Sequence, residues 1–459
     1  MTEHYDAIVI GAGQAGPPLA ERLGKKGLKT AIVERHLMGG TCVNTGCTPT
    51  KTLVASARVA HLARRATDYG VTIDAPVNVD MARVKARKDE IVAASNQGVT
   101  RWVEGMENVT LIRGHARFED AHSLSVDGRT LTAERIFINV GARARVPDLP
   151  GLDAVDYLTS SSIMDLDFIP EHLIIVGGSY IGLEFAQMYR RFGARVTVVE
   201  MNDRLIGRED PEVSATVREM LQDEGVSVRL GAECLSVDRG PEGVRANIEC
   251  AQDATPIEGS HLLLAVGRTP NTDDLGLENA GIETDERGHI RVDDTLRTNV
   301  EGVWALGEVN GRGAFTHTSY NDYEIVAANL FDDDPRRVSE RIPCYALYTD
   351  PPLGRAGMTE REARDSGRNV LIGRMEMSGV ARAREMGETR GFMKVLVDAD
   401  SKQILGATLL GLHGDEVVHV LLDMMYAERP YTVISRAVHI HPTVSELLPT
   451  MLLSLRPLE

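Results

Sequence analysis

"DAIVIGAGQAGPPLAERLGKKGLKTAIVERH", Asp6 to His36, aligns without a gap on "HLIIVGGSYIGLEFAQMYRRFGARVTVVEMN", His172 to Asn202, at an offset of 166 residues. Gly11 falls on Gly177, Gly16 on Gly182, Ala20 on Ala186, Gly27 on Gly193 and Glu34 on Glu200. Each copy reads as an apolar strand, a Gly-rich turn, a helix, a Gly break and a second strand closed by Glu. That order has a mechanical reason. The first glycine (Gly11, Gly177) permits the tight turn, the second (Gly13) lets the backbone approach a pyrophosphate, and the third (Gly16, Gly182) lets helix and strand pack closely. Phosphates then rest on the helix N-terminus, with its free N–H groups and positive dipole end. Pro17 and Pro18 suit such a first turn, whose N–H groups lack intrahelical partners. Ser179 stands where the second copy would carry its middle glycine. Glu34 and Glu200 end the second strands and are placed to accept ribose hydroxyls. One such turn is weak evidence; two in the same context predict two doubly wound, Rossmann-like folds.

The borders obey the same logic. "IFINVGARARVPDLPG" (Ile136 to Gly151) reads as a strand, a turn at Gly141 and a Pro-rich connector. "LLLAVGRTPNT" (Leu262 to Thr272, with Gly267) repeats that form, and "GVWALGEVNGRGAFTH" (Gly302 to His317) is a third strand entering a Gly-rich turn. The chain is therefore expected to be α/β, with one nucleotide domain inserted in the other. The first domain spans 1–150 and 267–340, the second 151–266. The remainder, 341–459, alternates strands with helices without a phosphate loop and is expected to be a separate α+β domain.

Composition narrows the function. The net charge of −17 over 459 residues argues against nucleic-acid or anionic-membrane partners. The first apolar run, "AIVI", is too short for a signal segment, and no run approaches a membrane span. The chain is read as cytoplasmic, where a Cys pair is more often catalytic or metal-bound than a lasting staple.

"GGTCVNTGCTPTK", Gly39 to Lys51, holds Cys42 and Cys47. A zinc site usually takes four ligands, but Cys234, Cys250 and Cys344 are isolated in sequence and offer no second half-site, so no metal site is expected. In a regular helix residues five apart are roughly 8–9 Å apart at Cα, whereas a disulfide needs less than about 7 Å. The pair can bridge only if Asn44, Thr45 and Gly46 leave helical geometry. Pro49 suits a first helical turn, which puts Cys47 at a helix N-terminus that favours thiolate. So small a loop gains little as a staple. A reversible redox pair is the stronger reading.

Two dinucleotide folds plus "GGTCVNTGCTPTK" resemble the class I pyridine nucleotide–disulfide oxidoreductases: lipoamide dehydrogenase, glutathione reductase and mercuric reductase. The resemblance covers essentially the whole chain, including "AVGRTPNT", "YTDPPLGRAGMTE" and "HIHPTVSE". "FINVGA", "PPLGRAGMTE" and "ARAREMGETRG" look most similar to the mercuric-reductase-like branch that contains the bacterial reactive-chlorine-resistance flavin reductase.

The resemblance implies FAD in the first fold, with Gly11, Gly13 and Gly16 at the pyrophosphate and Glu34 at the adenosine ribose. Gly40 and Thr41 would carry the backbone past the flavin. Ala116 and Gly141 would lie along it, and Ala314, Phe315, Thr316 and His317 would offer groups to its ring end. Lys51 would pair with Glu184 beside the flavin. Family members usually have Asp where this chain has Glu308, so FAD is expected to bind more weakly or slightly shifted. The second fold would take the nicotinamide cofactor on Gly177, Ser179 and Gly182, flanked by Gly267, with Tyr180 as the aromatic lid. Glu200 repels a 2′-phosphate, and Met201 and Gly207 stand where NADPH-specific relatives place arginines. NADH is therefore expected, with NADPH the alternative donor. Cys47 would face the flavin and Cys42 would exchange with substrate.

The same resemblance implies that 341–459 is a dimerisation domain. His441, oriented by Glu446, would then be the base serving Cys42 of a partner copy; His439 would not. The bland reading competes: Thr443 and Glu446 form a capping box for a helix starting near Thr443, and His441 is a partly buried loop residue. The expected activity is NAD(P)H-dependent reduction of a thiol-reactive acceptor such as Cu(II), Hg(II) or a small disulfide. Mercuric reductase proper carries a further C-terminal cysteine pair and often an N-terminal metal-binding domain. This chain ends "LLSLRPLE" and starts at the first nucleotide fold, so efficient Hg(II) handling is not expected. Dihydrolipoamide dehydrogenase is the alternative, and a non-enzymatic redox sensor on the same fold a third reading.

Overall fold

In the computed structural model, which describes residues 2–248 and 255–458, Thr2–Ile10 and Thr30–Glu34 are parallel strands joined by the helix Gly16–Lys25. Cys250 lies outside the described residues. Arg129–Ile138 lies parallel on the other side of Thr2–Ile10, and Val109–Arg113 flanks Thr30–Glu34. An antiparallel hairpin, Ala116–Asp120 with Ser123–Val126, extends the sheet. Its seventh strand, Val303–Ala305, comes from beyond the second copy and pairs parallel with Arg129–Ile138.

The second copy builds a five-stranded parallel sheet in the order Ser227–Arg229, Arg195–Val199, His172–Val176, His261–Leu264, Leu158–Thr159. The chain reaches it past Ala142–Ala144 and leaves past Arg268–Pro270, and these two short strands pair antiparallel. They clasp the base of the second fold.

The copies agree down to single bonds. Gly11 N–H donates to Val33 O at 2.7 Å, and Gly177 N–H to Val199 O at 2.8 Å. Gly11 and Gly177 have φ of 101° and 115°, and a Cβ on either would meet a backbone oxygen at 2.4 Å. A Cβ on Gly16 would stand 2.2 Å from Gly11 O, and one on Gly182 2.0 Å from Gly177 O. Side chains there would force the helix off its strand.

The third unit is a six-stranded antiparallel sheet, Cys344–Leu347, Leu353–Gly357, Ile404–Leu410, Phe392–Asp398, Val370–Glu376, Arg456–Pro457. The helix Gly414–Tyr426 packs on its central strands. Lys394, 1% exposed, places its ammonium 2.6–2.8 Å from Asp210, Glu212 and Glu360. A buried cation needs such partners, and two of them belong to the second nucleotide fold, so the bond ties the two units together. Among the described residues, no helix is long and apolar enough to cross a membrane.

Candidate active site

Gly39, at φ 92°, turns the chain into the short helix Gly40–Asn44. The helix stops at Thr45, Gly46 adopts φ −121° and ψ −114°, and the helix Cys47–Arg64 begins. The break expected at residues 44–46 thus falls on Thr45 and Gly46. Asn44 stays helical because its amide donates to Gly40 O and Met38 O at 2.8 and 2.9 Å. The break brings the two sulfurs into contact as free thiols, with Cys42 hydrogen-bonded to Cys47.

This pair is electrically divided. The Cys42 hydrogen bond lowers the Cys47 thiol from 9.0 to about 6 against the opposing effect of burial. The Thr316 hydroxyl, 3.3 Å from Cys47 Sγ, and the Lys51 charge add to the lowering, and Glu184 opposes it. Cys42, bonded to that thiolate and partly buried, is pushed far up. The dithiol form therefore holds one thiolate at Cys47 and one proton at Cys42. Cys344 is also a free thiol, and Cys234 is disulfide-bonded.

Lys51 and Glu184, 133 residues apart, meet at 2.6 Å. Glu184 is 6% exposed on the helix Tyr180–Phe192, and its second oxygen accepts Tyr348 N–H at 3.0 Å. Glu184 is therefore a buried partner rather than a solvated helix-surface residue. Lys51 also stands 4.5 Å from the centre of the Tyr348 ring.

Both cysteines open on a cavity of about 1790 Å³, well above the roughly 300–1,000 Å³ of ordinary small-molecule pockets. Gly11, Gly13, Glu34, Gly40, Thr41, Ala116, Gly141 and Glu308 line it from the first fold, with Lys51 and the run Ala314, Phe315, Thr316 and His317 near the cysteines. Ser179, Tyr180 and Glu184 line it from the second, and Gly267 lines it where the chain leaves that fold. Gly16, Gly177, Gly182 and Glu200 support the turns from behind and do not reach the cavity wall.

Each strand-end Glu fastens its own turn. Glu34 accepts N–H bonds from Ala12 and His36, both at 2.8 Å. Glu200 accepts from Gly178 and Asn202 at 2.6 and 2.9 Å. Those donors are again 166 residues apart. A carboxylate oxygen has capacity beyond one N–H, so Glu34 can hold its turn and still accept a hydroxyl. Both oxygens of Glu308 take Arg268 Nε–H, at 2.7 and 2.9 Å.

The chain fits a dinucleotide at both turns. The helices Gly16–Lys25 and Tyr180–Phe192 begin with no side-chain cap and no acid in the first turn. Asp80 caps Met81–Glu104 and Thr359 caps Glu360–Asp365, whereas Cys47–Arg64 and Pro211–Asp223 also begin without a side-chain cap; what marks the two phosphate-turn helices is that their turns border the cavity. Uncapped N–H groups beside a large cavity suit a pyrophosphate.

His441 and Glu446 lie away from this cavity. His441 Nδ1 is 2.9 Å from Glu446 Oε2, and its side chain is 73% exposed on the single chain. The capping box is present too, with Glu446 N–H donating to Thr443 Oγ1 at 3.2 Å and Thr443 N–H to Glu446 Oε1 at 3.3 Å. It leads into a 3₁₀ turn, Ser445–Leu447, so the helix starts only at Leu448. Sequence reasoning missed Asn139, whose amide donates to Gly11 O at 3.2 Å, and the Thr316 hydroxyl on Cys47. Asn139 follows the strand in "FINVG" and was discoverable as the polar residue facing the turn; the Thr316 contact spans 269 residues and had no local signal.

The pyridine nucleotide-disulphide oxidoreductase profile matches residues 5–322, and the dimerisation domain of the same family matches residues 344–452. A probable pyridine nucleotide-disulfide oxidoreductase, RclA, of Escherichia coli is 37% identical over 97% of this chain and 98% of its own length. A mercuric reductase of Lysinibacillus sphaericus is 32% identical over 91% of this chain and 76% of its own. The solved Cu(II) complex of the HOCl-induced flavoprotein disulfide reductase RclA from Escherichia coli superimposes with a TM-score of 0.89 at 34% identity, covering 98% of this chain and 99% of that one. The paired nucleotide folds, the divided cysteine pair and these matches lead to one conclusion: the chain belongs to the pyridine nucleotide–disulfide oxidoreductases and is an FAD-dependent enzyme that uses NAD(P)H and carries the family's dimerisation domain.

Proposed function

We propose that this enzyme passes electrons from NADH through the Cys42–Cys47 pair to a thiol-reactive acceptor, with a soft metal ion such as Cu(II) first, then Hg(II) or a small disulfide. Bound FAD supplies the two-electron relay between nicotinamide and sulfur. The observation that carries the proposal is the division of the pair, with Cys47 held as thiolate at a helix N-terminus and Cys42 keeping the proton. Only a thiolate binds soft metals and attacks disulfides, so Cys42, the sulfur that meets the acceptor, acts once a base has taken its proton, while the Cys47 thiolate faces the flavin. One NADH provides two electrons, enough to take two Cu(II) to two Cu(I), one Hg(II) to Hg(0), or one disulfide to two thiols. Lys51, held by Glu184, provides positive charge beside the Cys47 sulfur. Glu34 lines the ribose end of the first fold, and the negative charge of Glu200, behind the second turn, favours NADH over NADPH.

The base comes from a second copy. No residue beyond Tyr348 lines the cavity among the described residues. His441 points outward on Glu446, next to Val438 and Ile440, which are 100% and 81% exposed. Apolar side chains so exposed favour burial against a partner. A homodimer that places His441 of one chain at Cys42 of the other gives both a purpose.

The test is anaerobic NADH oxidation by the FAD-loaded enzyme against lipoamide, glutathione disulfide, Cu(II) and Hg(II). The expected result is the highest kcat/KM with Cu(II), lost in Cys42→Ser. Efficient turnover with lipoamide alone would replace this reading by dihydrolipoamide dehydrogenase.

A further inference from the structure

One carboxylate stands behind the cavity wall on the side of the second fold. Glu209 is 3% exposed and lines no part of the cavity. Its Oε1 accepts two hydroxyl hydrogens, from Tyr180 at 2.8 Å and from Tyr345 at 2.6 Å. Its Oε2 lies 3.3 Å from Arg355 Nε, an ion-pair contact without hydrogen-bond geometry. Arg355 is pinned in turn, its Nη1 donating to Met358 O, Ala407 O and Thr408 Oγ1 at 3.0–3.1 Å. One side chain thus joins the helix Tyr180–Phe192 of the second nucleotide fold to the first two strands of the C-terminal sheet.

The loop that carries Glu209 is bent to reach this place. Ile206 has φ 41°, a region that β-branched residues rarely enter. Its N–H donates to Gly178 O at 2.8 Å. The loop is therefore fastened to the phosphate turn that precedes Tyr180. The rings beyond it form one wall. Tyr180 meets Tyr345 edge-on at 5.6 Å and Phe315 edge-on at 6.5 Å, and Tyr345 stacks on Phe315 at 5.5 Å. Burial and the Glu209 charge both push the Tyr180 phenol far up, so it remains a donor. A hydroxyl bound to a buried carboxylate makes a charge-assisted bond that is costly to leave unmade.

We propose that Glu209 is a positioning residue for hydride transfer: by holding the Tyr180 and Tyr345 hydroxyls it fixes the aromatic wall against which the nicotinamide lies, and through Arg355 it ties that wall to the dimerisation domain. This rests on the reading of Tyr180 as the ring beside the nicotinamide.

The experiment compares the FAD-loaded enzyme with Tyr180→Phe, Glu209→Gln, the double variant and Tyr180→Leu. Tyr180→Phe and Glu209→Gln should each slow flavin reduction by saturating NADH about tenfold and weaken NAD⁺ binding, read by calorimetry, about fivefold. The double variant should be no slower than the slower single, because Tyr180→Phe removes, and Glu209→Gln strips of its charge, the same hydrogen bond. Reduction from the thiol side, by dithiothreitol through Cys42 and Cys47, should change by less than about twofold. Unaltered NADH rates and NAD⁺ affinities in both singles overturn the proposal, as does equal slowing of the NADH and dithiothreitol routes. Tyr180→Leu separates this from its premise. If it spares both NADH reduction and NAD⁺ binding, Tyr180 does not face the nicotinamide. If it impairs them while Tyr180→Phe does not, only the role of Glu209 falls. Should Glu209→Gln fail to fold, Tyr345→Phe, which keeps the Glu209–Arg355 pair, takes its place in the comparison.

Discussion

Replacing Cys42 by Ala removes the largest influence on Cys47, the Cys42 hydrogen bond that helps lower its thiol to about 6. A hydrogen bond to a charged group contributes about 1.5–3 kcal/mol, and one pKa unit corresponds to about 1.36 kcal/mol. Cys42→Ala should therefore raise the Cys47 midpoint by about one to two pH units. The sign is that of an acid whose charged form is favoured: the thiolate persists above the midpoint and is lost as pH falls through it. In the unaltered dithiol enzyme Cys47 stays about nine-tenths thiolate at pH 7 and is protonated only below about pH 6. In Cys42→Ala it should be about half to nine-tenths thiol at pH 7. Cys42→Ser, whose hydroxyl can still donate, should keep most of the lowering. The assay is iodoacetamide alkylation of the pre-reduced FAD-loaded proteins from pH 4.5 to 9.5, with the Cys47 peptide followed by mass spectrometry. The long-wavelength absorbance of a thiolate against bound flavin gives an independent titration of the same sulfur. Identical midpoints in the unaltered enzyme and Cys42→Ala would refute the assignment of Cys42 as donor. An unaltered midpoint near the ordinary 9.0 would refute the divided pair altogether.

Three further outcomes are expected. Co-expressed Cys42→Ser and His441→Ala chains, each inactive alone, should form heterodimers with one intact site and up to about half the normal activity per dimer; inactive heterodimers would remove His441 from the partner's site. NADH should exceed NADPH in kcat/KM, and Glu200→Ala should narrow the ratio by lifting repulsion from a 2′-phosphate; a preference for NADPH in the unaltered enzyme would reverse the assignment. Glu308→Asp shortens the side chain that now takes Arg268 Nε–H with both oxygens. It should raise FAD affinity in fluorescence titrations of the apoprotein, and an unchanged affinity would show that the extra methylene has no consequence.

Features encoded within a few residues were legible from sequence. The two phosphate turns declare themselves because a left-handed or side-chain-free position admits almost only glycine, as the short Cβ contacts at Gly11 and Gly177 require. The Cys42–Cys47 arrangement was legible for the same reason, since Gly46 breaks the helix between them. His441 and Glu446 lie five residues apart, so their contact needed only one turn of chain. Lys51 and Glu184 are intermediate: nothing in either neighbourhood announces the pair, and only the family resemblance placed it.

The remaining decisions belong to packing. Glu308 lines the cavity as a cofactor residue would, but that its carboxylate meets Arg268, 40 residues upstream, follows from the clasp strands that bring Arg268 alongside. Glu209 reads in "GREDPE" as one more solvated acid. Its burial against Tyr180, Tyr345 and Arg355 exists only once the second nucleotide fold is pressed on the C-terminal sheet. Sequence alone determined the backbone conformations and the chemical types, because these depend on each residue's own φ, bulk and charge. Which charges meet was decided by the tertiary structure, because ion pairs and hydroxyl contacts between distant segments depend on how rigid units dock, and docking leaves no periodicity in the chain.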